Sequence, residues 1–131
     1  MNSLKLISEG KGFGIASVEN FQNFAGKAFV KDILGTTGME ISFGTFGEGE
    51  AVPFLHKHKQ NEEIYIILRG EGIFSLDGND YPVKAGDVIR VEPEVSRGNR
   101  NTGTEPLTYV CIQAKAGSLE QYTMTDGVIL E

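Results

Sequence analysis

Residues 49–72 read Gly-Glu-Ala-Val-Pro-Phe-Leu-His-Lys-His-Lys-Gln-Asn-Glu-Glu-Ile-Tyr-Ile-Ile-Leu-Arg-Gly-Glu-Gly. The only two histidines of the chain, His56 and His58, stand two residues apart in this stretch. In an extended strand that spacing sends both imidazoles to one face. The polar run from Lys59 to Glu62 reads as a turn, after which a second strand opens at Glu63. Strands joined by so short a turn are expected to be antiparallel neighbours, which lets Glu63 face the histidine pair. Two imidazoles and a carboxylate converging on one point suit a divalent metal ion. The competing reading is a solvated cationic loop tip, because Lys57 and Lys59 flank His58.

Working outward, the strand from Glu63 to Arg69 places Glu63, Tyr65 and Ile67 on one face and Ile64, Ile66 and Leu68 on the other. Both faces carry bulky apolar groups, so something must cover the outer one. The N-terminal segment or a second subunit would do so, and a homodimer is the expectation. Upstream, Lys27 to Leu34 and Gly38 to Phe46 alternate roughly apolar and polar, with Gly35-Thr36-Thr37-Gly38 as the turn between them. Glu9 to Gly26, with its close-spaced glycines followed by Phe21 and Phe24, reads as an irregular lead-in whose aromatics fold onto a later sheet.

Downstream, Ile73 to Leu76 and Tyr81 to Lys84 flank Asp77-Gly78-Asn79-Asp80, a tight-turn sequence. Pro82 fits an edge strand there. Asp87 to Val91 and Val95 to Thr102 follow, interrupted by Glu92-Pro93-Glu94, and the second segment carries Arg97, Asn99 and Asn101 in phase. Three inward polar groups in a row are costly unless they line a wet or ligand-filled cavity. Leu107 to Ala114 puts Tyr109, Cys111 and Gln113 on one face and Thr108, Val110 and Ile112 on the other. No helical pattern of useful length occurs, and about eight short strands with regular turn signals define an all-β sandwich or barrel.

At 131 residues the chain suits one domain with one hydrophobic core. The longest unbroken apolar run, Ile64 to Leu68, is far too short to span a bilayer, so no membrane association is expected. The first ten residues lack a signal-peptide pattern and Cys111 is the only cysteine, which together point to a reducing, cytoplasmic setting. A net charge of -6 with scattered basic residues argues against nucleic acid as a partner and leaves a small-molecule ligand.

With these motifs the chain resembles the cupin family. The order His56, His58, Glu63, Gly70 is similar to the first cupin motif, with Gly49 one residue further upstream than usual. Gly86 to Asn101 resembles the second motif, with Pro93 and Asn101 in place. Glu94 stands where a glycine is usual, and Arg97 where the last metal-binding histidine is usual. The resemblance implies a double-stranded β-helix, a cupin-type jelly-roll barrel over about residues 39–114 of a single domain spanning 1–131. Segments 1–26 and 117–131 are then expected to pack on the barrel. It also implies a site in the barrel mouth and commonly a dimer, but assigns no reaction.

Carried over position by position, His56, His58 and Glu63 would hold a divalent ion such as iron, zinc, manganese or nickel. A guanidinium donates no lone pair, so Arg97 cannot be a fourth ligand. It is placed instead to grip a small anionic or polar organic ligand, helped by Asn99 or Asn101, with Tyr65 and Gln113 as further lining. The alternative is a metal-free binding or sensing module in which Arg97 takes the place of the ion and pairs with Glu63. Cys111 reads as a buried, inert thiol.

Overall fold

The computed structural model describes residues 4–130 and contains ten strands among them. Five of these, β3 (Gly26–Phe29), β4 (Glu40–Phe46), β5 (Asn61–Arg69), β8 (Val88–Val91) and β10 (Leu107–Lys115), form one sheet in the order β3-β4-β10-β5-β8. A second sheet has the order β7-β6-β9, built from β6 (Glu71–Leu76), β7 (Asn79–Lys84) and β9 (Arg97–Asn101). All pairings are antiparallel. The two sheets make the double-stranded β-helix expected from the sequence.

Alternation along the strands decides which residues meet between the sheets. Glu63, Tyr65 and Ile67 of β5 point inward, as do Tyr109 and Cys111 of β10, and with Phe74, Val83, Val91 and Leu107 most of them make the buried core. Gly44 on β4 sits opposite Tyr109, and a Cβ there would lie 2.5 Å from the tyrosine ring. The missing side chain is what lets that ring lie flat across the strand. The β6–β7 hairpin turns at Asp77 and Gly78, both with positive φ, the geometry a two-residue hairpin needs. Pro82 lies on β7, an edge strand, as its missing N–H requires.

Four expectations are corrected. The lead-in is an antiparallel hairpin of β1 (Leu4–Gly10) and β2 (Phe13–Val18), not irregular chain. Lys27 to Leu34 is not one strand: after β3 the chain turns through a single helical turn, α1 (Lys31–Leu34), which ends at Gly35 in the left-handed region. The histidine segment does not pair with β5. His56 bridges to Arg97 of β9, with His56 N donating to Arg97 O at 3.0 Å and Arg97 N to His56 O at 2.9 Å. Finally, Leu119, Tyr122, Met124, Val128, Ile129 and Leu130 are exposed rather than packed on the barrel. Phe24 is buried, and Phe21 meets the ring of Phe43 edge-on at 6.1 Å, so the lead-in aromatics do fold onto the sheet. Among the described residues no helix is long and apolar enough to cross a membrane.

Candidate metal centre

Three segments bring the polar residues together inside the barrel. β5 supplies Glu63 from its first turnward residues, β9 supplies Arg97 and Asn99, and the bridged loop before β5 supplies His56 and His58. His58 is fixed by its own backbone N–H, which donates to Pro93 O at 3.1 Å. The two imidazole rings stand edge to face with centroids 5.3 Å apart. One ligand atom from each of His56, His58 and Glu63 fits within 4.8 Å of the others. That spacing suits joint coordination of one ion, and two nitrogens with a carboxylate oxygen are a donor set for first-row divalent metals.

The carboxylate of Glu63 is only 3% exposed and is fully engaged. Its Oε1 accepts from Tyr65 Oη and from Arg97 Nη1, each at 2.7 Å. Its Oε2 accepts from Cys111 Sγ at 3.4 Å and lies 3.2 Å from His58 Nε2. Burial alone would raise the Glu63 pKa; the bonds from Tyr65 and Arg97, with His58 and Cys111, outweigh it and hold the group below its usual range. Arg97 is 1% exposed, and its remaining donors go to backbone carbonyls: Nε to Val95, Nη2 to Glu92, Pro93 and Val95. The Glu92-Pro93-Glu94 interruption in the sequence is therefore a carbonyl cradle for the guanidinium.

The other polar groups contrast with this pair. His56 Nδ1, His58 Nε2 and Asn99 Nδ2 are buried with no hydrogen-bond partner. Buried polar atoms are paired in nearly all cases, so three orphans around one cavity mark a place for something else. Burial, then the neighbouring His58, lower the His56 pKa, which leaves its imidazole neutral and free to donate a lone pair at neutral pH. Burial and then Glu63 push the Cys111 thiol up to about 12, so it stays protonated.

Among the residues proposed from sequence, His56, His58, Glu63, Tyr65, Arg97, Asn99 and Gln113 line one cavity of about 120 Å³. Asn101 does not. Its Nδ2 donates to the carbonyls of Phe46, Gly47 and Glu105 and its Oδ1 accepts from Gly103 N, so it clamps loops together. Arg97, expected to grip a ligand, has its donors spent on Glu63 and the cradle. Gln113 Oε1 accepts from Asn61 Nδ2 at 2.9 Å. Sequence reasoning missed Lys27, which reaches the same cavity from β3 and holds its ammonium 5.4 Å from the Phe29 ring centroid. Nothing local to Lys27 signals this; only the pairing of β3 with β4 carries it to the mouth.

Residues 42–113 match the family model of the cupin domain. The chain is similar to the oxalate-binding protein of Thermotoga maritima, with 32% identity over 117 residues covering 81% of this chain and 97% of that protein. It is also similar to an uncharacterized protein of Methanocaldococcus jannaschii, 40% identical over 77 residues, where the match spans 59% of this chain and 58% of that one. Among solved structures, a cupin protein from Bacteroides fragilis superposes with a TM-score of 0.85 at 42% identity, covering 93% of this chain and 100% of that one.

Proposed function

The chain belongs to the cupin family, and from that premise we propose that it binds a divalent metal ion through His56, His58 and Glu63 and, beside it, a small anionic organic ligand. The observation that carries this reading is the convergence of two buried imidazole nitrogens that make no hydrogen bond, His56 Nδ1 and His58 Nε2, on the Glu63 carboxylate, the second at 3.2 Å from it. The ion would supply Lewis acidity, drawing a ligand oxygen to an open coordination position. Around it the protein's own groups orient and exclude: Asn99 Nδ2 offers a buried donor, Lys27 a cation at the mouth, and Tyr65 and Phe74 an apolar wall. The cavity of about 120 Å³ is close in size to engineered cavities that hold benzene, so the ligand has roughly six non-hydrogen atoms. The oxalate-binding relative supports a small dicarboxylate, and oxalate is the first compound to test.

Elemental analysis of protein purified without a histidine tag tests the metal half. Near-stoichiometric iron, manganese, zinc or nickel after reconstitution in the presence of oxalate, disappearing in His56→Ala, is the expected result. A second reading is favoured by the 2.7 Å Arg97–Glu63 contact: a metal-free ligand-binding cupin in which the guanidinium stands for the ion. Under it, no metal would be retained after reconstitution even with oxalate present, and oxalate binding would be indifferent to added metal.

A further inference from the structure

We infer that Arg97 makes this a charge-deficient metal site, in which a divalent ion is held firmly only together with a small dianion. The inference rests on the metal reading above and specifies how metal and ligand depend on each other. Glu63 is the one carboxylate lining the cavity among the described residues, and the buried Arg97 guanidinium already neutralises it. Arg97 cannot swing away, because four further bonds tie it to the carbonyls of Glu92, Pro93 and Val95. Histidines that ligate are neutral. An ion entering alone would therefore keep its full double charge in a small, partly enclosed cavity, a costly state unless a counter-charge accompanies it. Lys27 adds another cation at the mouth.

A dianion removes the deficit. One of its carboxylates would meet the ion and the other the buried Nδ2 donor of Asn99, with Lys27 drawing it in. A monoanion leaves half of the ion's charge uncompensated. The converse also follows: without metal, the Glu63–Arg97 pair leaves no bare charge inside, so the pocket is formed before either component arrives.

The test is a titration of metal-free protein with Co²⁺, followed by visible absorption and calorimetry at buffered free Co²⁺, alone, with formate and with oxalate. Oxalate is expected to tighten Co²⁺ binding by about tenfold or more, within the usual range of site-to-site coupling, and formate much less. Lys27→Met, a change at an exposed residue, should weaken the oxalate effect by about threefold. Arg97→Met, where it folds, should bind Co²⁺ more tightly alone and lose most of the coupling. Equal Co²⁺ affinity of the wild type in all three conditions overturns the inference while leaving the metal site standing. Co²⁺ binding that is unchanged in His56→Ala, or absent throughout, removes the metal reading itself.

Discussion

The two halves of the cavity differ in one respect. On the Glu63–Arg97 side every polar atom is satisfied, by Tyr65, Cys111 and the carbonyls of residues 92, 93 and 95. On the side of His56, His58 and Asn99, three buried polar atoms make no hydrogen bond, although His58 Nε2 stands 3.2 Å from Glu63 Oε2. The first half is held together by the chain's own hydrogen bonds, and the second offers polar atoms that the chain leaves without them. Buried polar groups that cost stability and gain nothing within the chain are the mark of a site.

The contrast breaks most severely at Arg97. In metal-free protein Arg97→Met strands the Glu63 carboxylate and should cost about 3–5 kcal/mol in chemical denaturation. His56→Ala, on the unsatisfied side, should leave metal-free stability nearly unchanged while weakening metal affinity by more than about 100-fold, since even outer-shell partners of a metal are worth about 10–100-fold. Isothermal titration and denaturation on the same preparation check both. A large loss of metal-free stability in His56→Ala would erase the distinction between the halves.

The asparagines sharpen it on one strand. Asn101→Ala removes four hydrogen bonds that clamp loops and should cost about 2 kcal/mol. Asn99→Ala should change stability less than Asn101→Ala does, because Asn99 Nδ2 has only the neighbouring Tyr109 hydroxyl to turn to, and show its effect as weaker oxalate binding instead. Acid is the mildest probe. The Glu63 pKa is lowered from 4.5 in the fold, so the unfolded chain takes up the proton first. The stabilisation from this group is complete above about pH 4.5, declines as pH falls below that value and is gone below the folded pKa. A pH series of denaturation midpoints in metal-free protein should show that decline, and Glu63→Gln should remove Glu63's share of it.

Most of the barrel was legible because strand alternation is a local property. Glu63, Tyr65 and Ile67 face inward, and Tyr109 with Cys111 does likewise, as a period of two dictates. The N-terminal hairpin was not, since its glycines at 10, 12 and 14 hide the alternation of Leu4 to Gly10 against Phe13 to Val18. The trio His56, His58 and Glu63 was found for a reason only partly right. A turn after His58 predicts pairing of the histidine segment with β5, but that segment crosses to β9 and meets Glu63 through the interior.

By itself the sequence determined most barrel strands, the inward phase of their polar residues and the members of the His56, His58 and Glu63 cluster, because side-chain direction along a strand follows from position alone. Only the tertiary structure decided what those residues do to one another. It spends Arg97 on Glu63 and the carbonyl cradle, turns Asn101 into a clamp, leaves Asn99 unpaired and brings Lys27 to the mouth from a distant strand. Hydrogen-bond satisfaction is a property of three-dimensional neighbours, and no spacing along the chain records it.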